Sequence, residues 1–206
     1  MSYRHSVLAL GLALLLAACS IGKPIPQATT YVVEAPPPAA RLSAAGAYRG
    51  EIARMGNVRV AAAFAGNSLV YRRDDVTYQS DPYEAFIADP SAMLGNQIAA
   101  WLDRAGPFKA VVQPGNAQTT RYVLEATVTE LYGDFRPGRA PAAVLAIQFA
   151  LVDATAIRTT TVFERTISRR ATLDKATPDA LVRGYGNALS EILSELVGDL
   201  SGAGSR

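Results

Sequence analysis

The chain has 206 residues, of which 50% are hydrophobic and 18% charged, with 20 basic against 18 acidic side chains. This composition fits one globular domain of ordinary size and excludes a disordered chain. The near balance of charge leaves no electrostatic footprint for nucleic acid.

Residues 1–18 read as a cleaved export signal, with a short polar start carrying Arg4, an apolar run over residues 7–16, and small residues before Cys19. The apolar run is about half the roughly 20 residues that a helix needs to span a bilayer, so a permanent span is the weaker reading. Leu16-Ala17-Ala18-Cys19 resembles a lipobox, the bacterial processing site at which the cysteine is acylated and becomes the new N-terminus. An ordinary secretory cut after Ala18 is the alternative, but it leaves an odd cysteine without a partner. Each buried acyl methylene contributes about 0.8 kcal/mol, so several chains would hold the domain at a membrane. By resemblance to Gram-negative lipoproteins, Ser20 in place of an aspartate points to the outer membrane, on its periplasmic side. Processing would remove His5 and acylation would consume Cys19, the chain's single histidine and single cysteine. The mature domain is then expected to have no zinc site, no Ser-His-Asp triad, no Cys-His pair and no disulfide, and its stability to come from a packed core.

Residues 19–29, with Pro24 and Pro26, read as a tether with a reach of about 30 Å, leaving residues 30–200 as the domain. A short strand is expected around Tyr31-Val32-Val33-Glu34, and the stretch from Ala35 through Pro36-Pro37-Pro38 to about Gly50 reads as a surface loop. Val58, Val60, Ala62 and Phe64 alternate as in a half-buried strand. Two short strands, residues 69–72 and 76–79, flank Arg73-Asp74-Asp75 as a hairpin with a polar turn. Asp89-Pro90 opens a helix with the stripe Leu94, Ile98, Trp101 (with Leu102) and Ala105, closed by Gly106-Pro107. Tyr122, Leu124, Ala126, Val128 and Tyr132 are predicted to share one face of a long strand, and Ala143, Leu145, Ile147, Phe149 and Leu151 one face of the next, joined by a loop over residues 133–141. Residues 159–171 close an antiparallel meander. Thr177-Pro178-Asp179 opens a second helix with the stripe Val182, Tyr185, Leu189, Ile192 and Leu196. Gly184 and Gly186 inside that stripe mark a close helix–sheet contact or a bend. The expected class is α+β: a two-layer sandwich with a mainly antiparallel sheet and two helices packed on one face.

Taken together, the lipobox, the early Thr-Tyr-Val-Val-Glu strand, the Leu69-Val70-Tyr71-Arg72-Arg73 hairpin, the aromatic stretch of Tyr78, Tyr83 and Phe86, and the helix with Trp101 resemble the ABC-type transport auxiliary lipoprotein family, a group that includes PqiC. One departure is Ala85-Phe86-Ile87, where such proteins often carry a tryptophan before the first helix. The resemblance implies a non-enzymatic periplasmic component of a lipid-trafficking system, with the acylated Cys19 in the membrane. It implies an MCE-domain protein and an ABC permease and ATPase as partners, and a homo-oligomer, ring-like, that docks the MCE tube at the outer-membrane end. No cofactor and no metal are implied.

Tyr71, Arg72, Arg73, Tyr78 and Tyr83 form the most concentrated aromatic and basic patch. It reads either as a solvated hairpin whose tyrosines pack across strands or as a partner-contact surface, since aromatics and arginine are favoured at interfaces. Asp74, Asp75, Asp81 and Glu84 are better explained as a solvated turn than as an acid/base pair. The alanine-rich faces (Ala61 to Ala63, Ala99-Ala100, Ala142-Ala143) permit close packing more readily than a lipid-sized cavity. Two other classes stay open: an outer-membrane assembly or pilotin-like structural lipoprotein, and a Ser/Lys hydrolase, for which Lys23, Lys109 and Lys175 are the available lysines.

Overall fold

The computed structural model describes residues 27–40, 46–116, 119–155 and 158–202. The expected signal, Cys19 and the tether up to residue 26 lie outside the described residues. In chain order the elements are β1 (Thr29–Tyr31), β2 (Ile52–Val60), a single 3-10 turn (Ala62–Phe64), β3 (Ser68–Arg72), β4 (Tyr78–Phe86), α1 (Pro90–Ala105), β5 (Ala110–Val112), β6 (Tyr122–Asp134), β7 (Ala142–Asp153), β8 (Thr160–Thr172) and α2 (Pro178–Gly202).

The class is α+β, but the sheet is mixed, which corrects the expectation of a mainly antiparallel one. The β3–β4 hairpin and the β6–β7–β8 meander are antiparallel. β1 runs parallel to β4, β2 runs parallel to both β5 and β6, and the end of β3 runs parallel to β6. The cause is the way β6 shares its edges. β7 covers one edge along its length, whereas the other edge takes β2 between Tyr122 and Val128 and then β3 at Gly133 and Asp134. The chain between β2 and β6 carries the hairpin and α1 as a crossover, so the two strands return in the same direction.

Both helices pack on one face, as their neighbours in the sheet establish. Met55, Val58 and Val60 pair with Leu124, Ala126 and Val128, which in turn pair with Leu151, Phe149 and Ile147. α1 reaches this face where Gly95 lies against Val58, and α2 reaches it where Gly184 lies against Ala143 and Leu173. A Cβ on Gly184 would fall 2.8 Å from the Ala143 Cβ, so this glycine does mark a close helix–sheet contact. α1 starts where the Asp89 carboxylate accepts the Ser91 and Ala92 amides at 2.8 and 3.3 Å, and it stops at Gly106, whose φ of 80° suits glycine.

Three local expectations change. Tyr132 does not share a face with Tyr122 and Val128, because a bulge between Val128 and Glu130 inserts a residue and reverses the alternation. Leu131 pairs with Leu145 on the helix side, and Tyr132 pairs with Val144 on the helix-free side. β2 begins at Ile52 and ends at Val60, so Ala62 and Phe64 belong to the 3-10 turn and not to a strand. The early strand keeps only Thr29–Tyr31, and the stretch expected as a surface loop is irregular and largely exposed over residues 35–40, though pinned to the helices. Residues 32–38 form a strap across both helices: Val33 is fully buried, the Ala35 amide donates to Gln97 Oε1 at 3.3 Å, and the Pro36 carbonyl accepts from Trp101 Nε1 at 2.8 Å and from Ser190 Oγ at 3.1 Å.

Candidate functional site

The β3–β4 hairpin places the five singled-out residues on both sides of the sheet. Paired residues share a face, so Arg72 and its partner Tyr78 point to the helix-free side with Asp134, while Tyr71 points inward with Gly133. Tyr71 is only 4% exposed; it stacks on Phe135 with centroids 5.1 Å apart, and its hydroxyl donates to Asp81 Oδ2 at 2.8 Å. Burial first, then the bond to Asp81, holds that hydroxyl well above its ordinary pKa. Arg73 covers the Tyr71 ring at 5.0 Å and donates from Nε to Gln79 Oε1 at 3.0 Å. Arg72 lies over Tyr78 at 5.6 Å and donates to the carbonyls of Asp74 (3.1 Å) and Asp75 (2.8 Å). Tyr78 and Tyr83 are each 43% exposed.

The turn is held by its own acids. Asp74 Oδ1 accepts the Val76 and Thr77 amides at 2.8 and 2.7 Å, which lowers the pKa of its carboxyl. Asp81 Oδ1 accepts the Tyr83 and Glu84 amides at 2.8 and 3.0 Å. Asp75 receives Arg136 Nη1 at 2.8 Å, and Arg136 also forks onto Asp134 at 2.9 and 2.8 Å. Asp134 is fully buried and takes a further bond from Arg170. The Arg136 fork, with burial opposing it and Arg170 assisting, keeps the Asp134 carboxyl well below the usual carboxylate range.

Under Tyr78 lies an aromatic bed absent from the sequence-derived patch. Tyr78 meets Tyr132 edge-on at 5.3 Å and Phe64 at 6.0 Å, and Phe64 stacks on Tyr132 at 5.8 Å. Asp134, Arg136, Arg170, Phe64, Tyr132 and Phe135 thus belong to the surroundings of the hairpin, although the sequence reading left them in strands and loops. The available signal was Asp134-Phe135-Arg136 at a strand end, a spacing that lets the arginine turn back onto the acid. The site as built is a half-exposed cation–aromatic knob whose aspartates are already bonded. Among the described residues no group of three or more His, Cys, Asp or Glu is placed to hold a metal ion.

The family model for the ABC-type transport auxiliary lipoprotein component matches residues 31–197. The chain belongs to that family. Its members are lipoproteins of the bacterial envelope that serve ABC-type transport as auxiliary components, and that coarse role applies to this chain. Protein XCC0632 of Xanthomonas campestris, a DUF330 protein, shares the fold with a TM-score of 0.72 at 18% identity, over 86% of this chain and 97% of its own. An uncharacterised protein matches with a TM-score of 0.64 at 17% identity, over 84% of this chain and 98% of its own. The hypothetical protein CT253 of Chlamydia trachomatis matches with a TM-score of 0.50 at 10% identity, over 75% of this chain and 97% of its own. At these identities the likeness concerns the fold alone. No curated protein matches the chain significantly.

Proposed function

We propose that this auxiliary lipoprotein is a non-enzymatic docking component of an intermembrane lipid-transport system, anchored through acylated Cys19 in the outer membrane and facing the periplasm. Its partners in this reading are an MCE-domain protein and the ABC permease and ATPase behind it, with a ring of identical subunits as the docking form. The observation that carries the reading is the family match over residues 31–197. The hairpin supplies a contact element of the right kind: Tyr78, backed by Tyr132 and Phe64, and Arg72, already fixed by two carbonyls. A side chain ordered before docking loses less freedom on binding, which favours a rigid Tyr–Arg knob as an anchor. A docking role also suits the acids near the tip, because Asp74, Asp81, Asp75 and Asp134 are committed to turn amides or arginines and are not free for acid/base chemistry.

The test is photo-crosslinking in intact cells from an amino acid carrying the crosslinker in place of Tyr78. Capture of an MCE-domain protein or of the permease is expected. Capture only of a secretin or a barrel-assembly protein would replace this reading with the structural-lipoprotein one.

A further inference from the structure

β5 covers only the first part of β2. It pairs in parallel with Ile52, Ala53 and Arg54, after which Gln113-Pro114-Gly115-Asn116 turns the chain off the edge. The Asn116 amide donates to the Gln113 carbonyl at 3.3 Å, Pro114 lacks the N–H that a ladder needs, and Gly115 has a φ of 84°, the arrangement of a type II turn. β2 runs on to Val60, and beyond Arg54 no strand pairs with it on this side among the described residues. Alternate main-chain groups between Met55 and Val60 therefore face an open edge. A cavity of about 390 Å³ lies where β5 would have continued, between this edge and the first turns of α1, and the bulge between Met55 and Val58 falls at its wall. Its floor is Met55, Val58 and Gly95, and its rim carries the carboxamides of Asn57, Asn96 and Gln113. None of these carboxamides is hydrogen-bonded to another described residue, and no charged side chain lines the cavity. Arg54 and Arg59 pair with Val123 and Thr127 on the helix-free side, whereas Met55 and Val58 pair with Leu124 and Ala126 on the helix side. Asp89 is bonded to the Ser91 and Ala92 amides, and Asp103 accepts the Val111 amide at 3.0 Å.

We infer that this cavity and the open edge of β2 form a second docking site, which takes an extended, uncharged segment of a partner polypeptide as an added strand beside β2. The inference goes beyond the hairpin reading and does not depend on it. The lining selects the occupant by charge. An anionic headgroup or a nucleotide needs a cation, and none lines the cavity. An acyl chain would leave three carboxamides against hydrocarbon, each at the cost of an unpaired polar group. A peptide main chain carries a donor and an acceptor at each residue, as a carboxamide does, so it answers Asn57, Asn96 and Gln113 together with the free groups of β2. β5 already shows that this edge of β2 accepts a parallel neighbour. An added strand draws affinity from its main-chain bonds and specificity from pockets that take alternate side chains. Here that pocket is the Met55, Val58 and Gly95 floor, which suits one aliphatic side chain turned to the helix side. A charged side chain at that position is disfavoured, because the floor offers it no counter-charge.

The test uses the mature, full-length protein in detergent micelles, immobilised and offered two pools of short, end-capped random peptides. One pool is built from Ala, Val, Leu, Ser, Thr and Asn, and the other carries Asp or Lys at every second position. Bound peptides are identified by mass spectrometry, and hydrogen exchange of the protein is followed with and without the peptide retained most strongly. Ala92→Trp fills the mouth of the cavity from an exposed helix position, whereas the double variant Asn96→Ala, Gln113→Ala removes two carboxamides and leaves the cavity open. The parent should retain uncharged peptides, with retention lowered roughly tenfold or more in Ala92→Trp and roughly fivefold or more in the double variant. The retained peptide should also slow exchange of the β2 amides between residues 55 and 60. Equal retention by the parent and both variants, equal retention of the charged pool, slowed exchange confined to other strands, or no retained peptide at all would overturn the inference. Exchange across β6, β7 and β8 checks that each variant keeps the fold; should Ala92→Trp lose it, the double variant decides. Crosslinking from Tyr78 reads the hairpin alone, so either site can fail without the other.

Discussion

Replacing Gly186 by alanine sets two effects of opposite sign against each other. In a helix interior alanine is favoured over glycine by about 1 kcal/mol. At this position, however, a Cβ would lie 2.2 Å from the Glu34 carbonyl oxygen and 3.1 Å from its carbon. Both atoms are backbone, so the strap must retreat by about 1 Å to reach ordinary contact. Retreat pulls on the bonds that seat it, above all Trp101 Nε1 to the Pro36 carbonyl at 2.8 Å and the Ala35 amide to Gln97 at 3.3 Å. Overpacking costs about 1–3 kcal/mol and a lost hydrogen bond about 1 kcal/mol. The net expectation is a loss of about 1–3 kcal/mol, equivalent to a Tm lower by about 3–10 °C for a domain of this size. Gly198 lies in the same helix with open space where its Cβ would be, so Gly198→Ala should stabilise by up to about 1 kcal/mol. Urea unfolding followed by fluorescence suits both variants, since the single tryptophan, Trp101, is bonded to the strap. A Gly186→Ala protein as stable as the parent, or more so, would refute the seating of the strap on α2.

Other perturbations probe the hairpin and its support. Asp134→Asn should cost about 2–4 kcal/mol, because it leaves Arg136 largely buried without its counter-charge, with the partly exposed Arg170 holding the figure below the top of the usual range. Asp134 ionises below the usual range when folded, so its contribution is present above the unfolded carboxylate pKa of about 4 and drains away as pH falls below it. Stability measured from pH 5 to pH 2 should fall more steeply in the parent than in Asp134→Asn. Tyr71→Phe should lose about 1 kcal/mol in equilibrium unfolding through the missing bond to Asp81. Buried Tyr185 and Tyr71, with hydroxyls raised above their ordinary value, should make stability fall as pH rises past about 10, where the unfolded chain releases these protons first. Arg136→Ala frees Asp75 from its tie to the sheet and takes the fork from buried Asp134, so it should cost about 2–4 kcal/mol in equilibrium unfolding and lower the crosslinking yield from position 78.

The helices were readable in the sequence because their signals are local. Asp89-Pro90 and Gly106 bound α1 where they were expected, and the stripe from Val182 to Leu196 faces the core. The β3–β4 hairpin and the β6–β7–β8 meander were readable for the same reason, since each joins neighbours in the chain. The parallel pairs were not, because they join segments as far apart as Ala53 and Tyr122 and leave no mark on the periodicity of either. β5, three residues long, is too short to show a period. The misplaced face of Tyr132 traces to one bulge that alternation alone cannot reveal. At the hairpin, the sequence grouped Tyr71, Arg72, Arg73, Tyr78 and Tyr83 by proximity in the chain, whereas the sheet buries Tyr71 and presents Tyr78. Asp134, Arg136 and Arg170 come to the hairpin through tertiary pairing, so only the fold could bring them together.

Intact-mass and peptide analysis of the chain purified from bacterial envelopes tests the central claim most directly. The account predicts a mature product that starts at Cys19, with residues 1–18 removed and the thiol carrying a lipid. A product that keeps those residues, or whose Cys19 has a free sulfhydryl, would contradict it.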